Sequence, residues 1–319
     1  MNYAPRHLLP LLFFFLHCTG VRAQTDPQYT QFMLQPTAYN PAAAGATESG
    51  HVTVLARQQW LGFEGGPESQ QALLSLPLNS AGTGLGLRLQ QASIGLEQQY
   101  AVEGSFAYRF AIGRGTRMGL GISATARQYG VDFTQARPVQ GGVDQAIPGG
   151  NATKIVPNFG AGAYVDGPGF YVGIGLPRLL ANNLDLGDEE TVIGREARHF
   201  YFQAGTKFHP SDKVALEPQV LAKYVIGAPF DADFNLTAYL GDNLFLGANY
   251  RLGGNGTGES ASAQAGFFLG GHLMLALAYD LGLSELAFAH DGSVEAVVRY
   301  SFGRRARGGA VIDPRDALQ

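Results

Sequence analysis

No uninterrupted apolar run in the 319-residue chain approaches the roughly 20 residues that a membrane-crossing helix needs. Cysteine occurs once, at Cys18, in a stretch that reads as a removable leader, so neither a disulfide framework nor a thiol nucleophile is expected in residues 24–319. Charged residues are only 15% of the chain, against an ordinary ~25%, and no basic block lies in residues 51–302, which argues against nucleic acid as a partner. Tryptophan occurs once, at Trp60. There is no strand-to-helix G-x-G-x-x-G, no H-E-x-x-H and no G-x-S-x-G elbow. The histidines at 51, 199, 209, 272 and 290 show no metal-ligand spacing. No catalytic, cofactor-binding or metal-binding residue is therefore assigned.

Residues 1–23 read as a signal peptide. Arg6 and His7 make a basic start, Leu8–Leu16 is an apolar run interrupted by Pro10, and Val21-Arg22-Ala23 offers a small-residue cleavage site before Gln24. Export follows from that pattern. Loss of Arg6 and Arg22 takes the formal net charge from −4 to −6.

What the chain has in excess is glycine, 44 of 319 residues, about double the usual ~7%. It also has alternation. In residues 117–128, Met118, Leu120, Ile122, Ala124 and Ala126 fall on one face and Arg117, Ser123, Thr125 and Arg127 on the other. Residues 99–112 repeat the pattern, with Phe106, Tyr108 and Phe110 opposite Glu103, Ser105 and Arg109. An exported, glycine-rich, charge-poor chain with this period predicts an all-β outer-membrane barrel, apolar side to lipid and polar side to the lumen. Counting segments from residue 52 to residue 302 gives fourteen antiparallel strands, an even number as closure requires. Tight turns at 113–116, 166–168 and 241–243 alternate with longer loops at 130–154 and 181–196, and the short turns are expected on the periplasmic side. Glycine pairs 84/86, 119/121 and 173/175 fall at period two inside strands, where they permit curvature or close approach of an internal segment.

Residues 24–50 fit neither strand nor helix. Pro27, Pro36 and Pro41 exclude a strand or helix interior, and a turn at Asn40-Pro41 should reverse the chain. The expectation is a plug in the periplasmic mouth or lumen, with Tyr29, Phe32, Met33 and Tyr39 packed inside. Residues 51–302 would then be the barrel, and residues 303–319, with Arg304, Arg305 and Arg307, a solvated polar tail.

These residues together resemble the PorP/SprF family of outer-membrane proteins of the type IX secretion system of the Bacteroidetes. The resemblance rests first on the opening run, at Asp26, Pro27, Gln28, Tyr29, Gln31, Phe32, Met33, Asn40, Pro41, Ala42 and Gly45. It continues in "RQQWLGFEGGP" through Arg57, Trp60, Gly62 and Pro67, and in "KYVIGAPFDADFN" through Lys223, Tyr224, Gly227 and Pro229. It implies a fourteen-stranded barrel related to fatty-acid-transporter-like barrels, without enzymatic activity and serving the secretion and gliding machinery. Its partners would be outer-membrane lipid together with a secreted, adhesin-like surface protein or the periplasmic ring. The alternative, from the related barrels, is a transporter of small hydrophobic molecules with a lateral opening near Pro218.

Overall fold

The computed structural model describes residues 26–47, 49–78, 82–135, 150–185, 192–226, 228–253 and 258–302. Residues 1–25, the tail and Gly227 lie outside the described residues. Three short 3-10 turns, Phe32–Leu34, Pro36–Ala38 and Pro41–Ala43, precede the sheet. The strands then follow as β1 Gly50–Gln58, β2 Glu68–Pro77, β3 Thr83–Ile94, β4 Glu97–Ala111, β5 Arg117–Asp132, β6 Asn151–Gly167 and β7 Phe170–Leu176. A small hairpin, β8 Asn183–Asp185 and β9 Val192–Arg195, interrupts the series. The ring resumes with β10 His199–Thr206, β11 Phe208–Ser211, β12 Val214–Val225, β13 Asp231–Leu240 and β14 Leu244–Leu252. It ends with β15 Gly258–Leu269, β16 Leu273–Gly282 and β17 Ser293–Phe302.

Each strand pairs antiparallel with its neighbour, and β17 returns to β1 in register from Gly50↔Phe302 to Gln58↔Val294, so the sheet is closed. β10 and β11 lie end to end along β12, which makes fourteen staves among the described residues. The break between them falls opposite Pro218, a strand residue with no N–H to give to a ladder. On the other side the β12–β13 register runs on through Pro218↔Leu236.

Burial along the strands is inverted relative to a soluble protein. On β4, Phe106 and Tyr108 are 43% and 51% exposed, whereas Glu103 on the opposite face is 2% exposed. Charge points inward and aromatic surface outward, the distribution a barrel needs when lipid is its solvent. The height agrees. From Tyr100 to Phe110, about ten residues at ~3.3 Å each on a strand tilted ~40° give roughly 25 Å, the thickness of a barrel's apolar band with an aromatic at either rim. The strands outrun expectation in β5 and β6, which pair as far as Asp132↔Asn151 and stand above that band. Hairpin β8–β9 was not foreseen within the 181–196 loop; its Leu184 is buried against Tyr129 and Val156 of the inner wall.

Candidate functional site

Lumen-facing side chains and residues 26–47 form one buried assembly, in part polar and in part an apolar cluster that Phe32 and Met33 share with Leu55, Leu73 and Leu221 of the wall. Two prolines start 3-10 turns at Pro36 and Pro41, where their missing N–H costs nothing, and Asn40 caps the second by accepting the Ala42 N–H at 3.0 Å. The segment therefore coils in short turns. It touches the wall on most of its sides, at β1 and β2, from β3 through β7, and at β10, β16 and β17.

The tightest of these contacts are made by glycines. A Cβ on Gly84 would overlap the Ala44 carbonyl, one on Gly121 the Ala42 backbone, and one on Gly175 the Tyr39 carbonyl. Gly119 faces the Ala42 carbonyl in the same way, whereas Gly86 meets the Thr37 methyl, and Gly162 and Gly173 face the Asn40 amide. At Gly84, Gly119, Gly121 and Gly175 main chain lies against main chain, which only glycine permits. The Asn40 side chain completes the contact by donating to the Ala163 carbonyl at 3.0 Å.

Ion pairs hold the other side. Arg57 of β1 reaches Asp280 of β16 at 2.6 Å and Glu295 of β17 at 3.3 Å, all three nearly inaccessible to solvent. Glu295 accepts the backbone N–H groups of Thr30 and Gln31 at 2.9 and 2.8 Å. Thr30 also donates its hydroxyl to Asp280 at 2.7 Å and accepts from Arg57 at 3.1 Å. Nearer the long loops, Asp26 pairs with Arg127 at 3.0 Å and with Arg178, and Arg178 approaches Glu196 at 3.5 Å. Arg88 joins Glu103 at 2.6 Å and donates to the Ala38 carbonyl at 3.2 Å. Buried ions of this kind persist only when each has a counter-ion and hydrogen bonds.

The remaining signature residues divide among several surroundings. Tyr29, Phe32 and Met33 are buried in the lumenal core, and Tyr29 accepts from Gln90 at 3.2 Å. Burial raises the Tyr29 phenol, and raises that of Tyr39 well above its ordinary 10.0. Pro27 and Gln28 are half-buried beside Asp26, and Gly45 takes the left-handed φ of +63° while donating to Ser75 at 3.0 Å. Lys223 faces inward; it stands in register with Asp231 but pairs with Asp233 at 2.5 Å, which Arg251 also holds at 2.7 Å. Its neighbour Tyr224 faces outward against Phe200, and Pro229 is exposed in the following loop.

Trp60, Gly62 and Pro67 belong to a separate place, the loop between β1 and β2. Trp60 has a φ of +58°, the one positive value among described non-glycine residues. Such backbone is costly for a bulky residue and must be imposed by its surroundings. Those surroundings are the loop before β17: Leu61 donates to Gly292, Asp291 donates to Leu61, and the indole stacks on His290 at 6.2 Å between ring centres. Gly62 at φ +81° continues the bend, and Pro67 accepts from Gln59 at 2.8 Å. Phe63 and Phe288 stand out from this loop pair, 51% and 98% exposed.

Asp280, Glu295, Glu196 and Arg178 were not singled out from the sequence. A signal existed for Asp280 and Glu295, since each sits on the polar face of an alternating strand, as Glu103 and Arg109 visibly do. Among the described residues no three His, Cys, Asp or Glu side chains assemble as a metal-ligand set.

A closed fourteen-stave barrel with this opening segment is matched over residues 21–300 by the family described as type IX secretion system membrane protein PorP/SprF. The chain belongs to the PorP/SprF family. It is an outer-membrane barrel and a component of type IX secretion. No curated protein matches it. Among solved structures it is similar to the outer membrane protein Omp33 of Acinetobacter baumannii, at 9% identity and a TM-score of 0.46, over 81% of this chain and 100% of that one. A FadL homologue of Pseudomonas aeruginosa gives 13% identity and 0.45 over 82% and 91%. The COG4313 outer membrane channel of Pseudomonas putida F1 gives 12% and 0.42 over 88% and 100%.

Proposed function

We propose that this PorP/SprF barrel is a non-enzymatic docking platform that holds a secreted surface protein at the cell surface, with residues 26–47 serving as its plug. The observation that carries the reading is the cross-linked lumen. Asp26, Thr30 and Gln31 are tied to charged side chains of β5, β16 and β17, and residues 39–44 lie on the glycine wall. A lumen occupied in this way supports contact rather than conduction. The surface left for a partner is the long-loop end, where Trp60 is held in strained backbone and Phe63 and Phe288 project into solvent. Exposed aromatics on rigidly braced loops are the anchors that protein interfaces favour.

The test is site-specific photo-crosslinking from position 63 and from position 288 in intact cells, followed by mass spectrometry of the adducts. One large exported protein, recovered from both positions and not from a lipid-facing position such as 122, is the expected result. Adducts to the periplasmic ring alone would move the docking surface to the opposite end. Adducts to lipid alone would overturn the reading.

A further inference from the structure

The outer wall of β1–β6 carries a trough of about 520 Å³, within the ~300–1,000 Å³ range of ligand sites. Register explains its shape. At the upper rim of the apolar band, Gln70, Gln91, Tyr100 and Gln128 stand side by side on β2, β3, β4 and β5. The next row down is Ala72, Leu89, Val102 and Ala126, so small side chains floor both ends. One row lower, Gly104 faces outward with open space where a Cβ would stand. The trough is thus apolar below and bears amides above.

Two further facts give it a chemistry. No charged residue lines it. The side-chain amides of Gln70, Gln91 and Gln128 make no hydrogen bond to any described residue, and among the described strands outward-facing glutamines occur only on β1–β5. Across the barrel, the upper rim carries Tyr224, Tyr250 and Tyr279 without amides. An amide left without partners beside hydrocarbon is costly, and an amide both donates and accepts, as a hydroxyl does. A phosphate headgroup would instead call for Arg or Lys.

We infer that this trough is a binding site for one glycolipid of the surrounding leaflet, its acyl chain lying over Ala72 and Ala126 and its sugar hydroxyls bonded by Gln70, Gln91 and Gln128.

The test is native mass spectrometry of the full chain in tetraethylene glycol monooctyl ether. The probe is an equimolar mixture of diglucosyl diacylglycerol, phosphatidylethanolamine and phosphatidylglycerol with identical acyl chains. The expected result is preferential retention of one diglucosyl lipid. Gln70→Leu, Gln91→Leu and Gln128→Leu together should cut that retention roughly fivefold or more, the effect of losing about one net hydrogen bond. Ala72→Phe with Ala126→Phe, which fills the trough, should abolish it. Heat-modifiable migration on gels verifies that both variants fold. Equal retention of the three lipids by the unaltered chain overturns the proposal without recourse to any variant. So does equal retention of the sugar lipid by the unaltered and amide-free chains, and so does finding position 126 crosslinked to a neighbouring protein in cells instead of lipid.

Discussion

Arg57 and Glu295 stand opposite each other on the first and last strands, where the barrel closes, and lie 3.3 Å apart. The same carboxylate receives the main-chain N–H groups of Thr30 and Gln31. Closure of the ring and seating of the N-terminal segment therefore share one side chain. Replacing it with alanine removes both at once and leaves Arg57 with Asp280 as its one remaining counter-ion. Glu295→Ala should destabilise the barrel by about 3–5 kcal/mol, the cost of breaking a buried pair. Glu295→Gln should cost less. The temperature at which the folded form is lost on gels measures both, and indifference to the alanine change would show that the pair carries no stability.

The glycine wall makes an opposing pair of variants. Gly121→Ala places a methyl group on the Ala42 backbone, so the segment must shift; about 1–3 kcal/mol of destabilisation is expected. Gly104→Ala meets nothing within 4 Å and should be neutral or stabilising by ~0.5 kcal/mol. Limited proteolysis of residues 26–47 in folded protein should accelerate for the first variant and not for the second.

Conductance tests the plug directly. The full chain in planar bilayers should show no steady porin-like steps. Arg178→Ala, which takes a cation from Asp26 and Glu196, should add brief openings, and deletion of residues 26–45 should add long ones. Steady large conductance from the unaltered chain would remove the plug reading.

Trp60 reports on its own loop, because it is the only tryptophan. Trp60→Gly relieves the +58° φ while Trp60→Ala does not, so the alanine variant should be the less stable by roughly 1 kcal/mol. His290→Ala removes the stacking partner, and iodide should quench the indole more readily in that variant.

Much of the fold was legible because one rule repeats along the chain. Phe106, Tyr108 and Phe110 alternate with Glu103, Ser105 and Arg109, and that period alone separates lipid from lumen. The glycines at 84, 121 and 175 were legible as places of either curvature or close approach, since period two puts them in strands where a missing side chain needs a reason, and only the packed structure decides between the two. The partners were not legible. Asp26 meets Arg127 and Arg178, and Thr30 meets Asp280 some 250 residues away; no local pattern encodes which inward charge meets which. The β8–β9 hairpin escaped for another reason, since Asn183–Asp185 is too short to show a period.

The shared carboxylate of Glu295 also bears on how the barrel is built. Its partners in the chain lie 264 and 265 positions earlier, so the acceptor is synthesised near the end and the donors near the beginning. Contacts of such span raise the contact order of a chain, and with it the time that folding takes. With the opening residues displaced, the buried carboxylate would lack two of its donors, so the front end of the chain completes the hydrogen bonding of the seam at its far end.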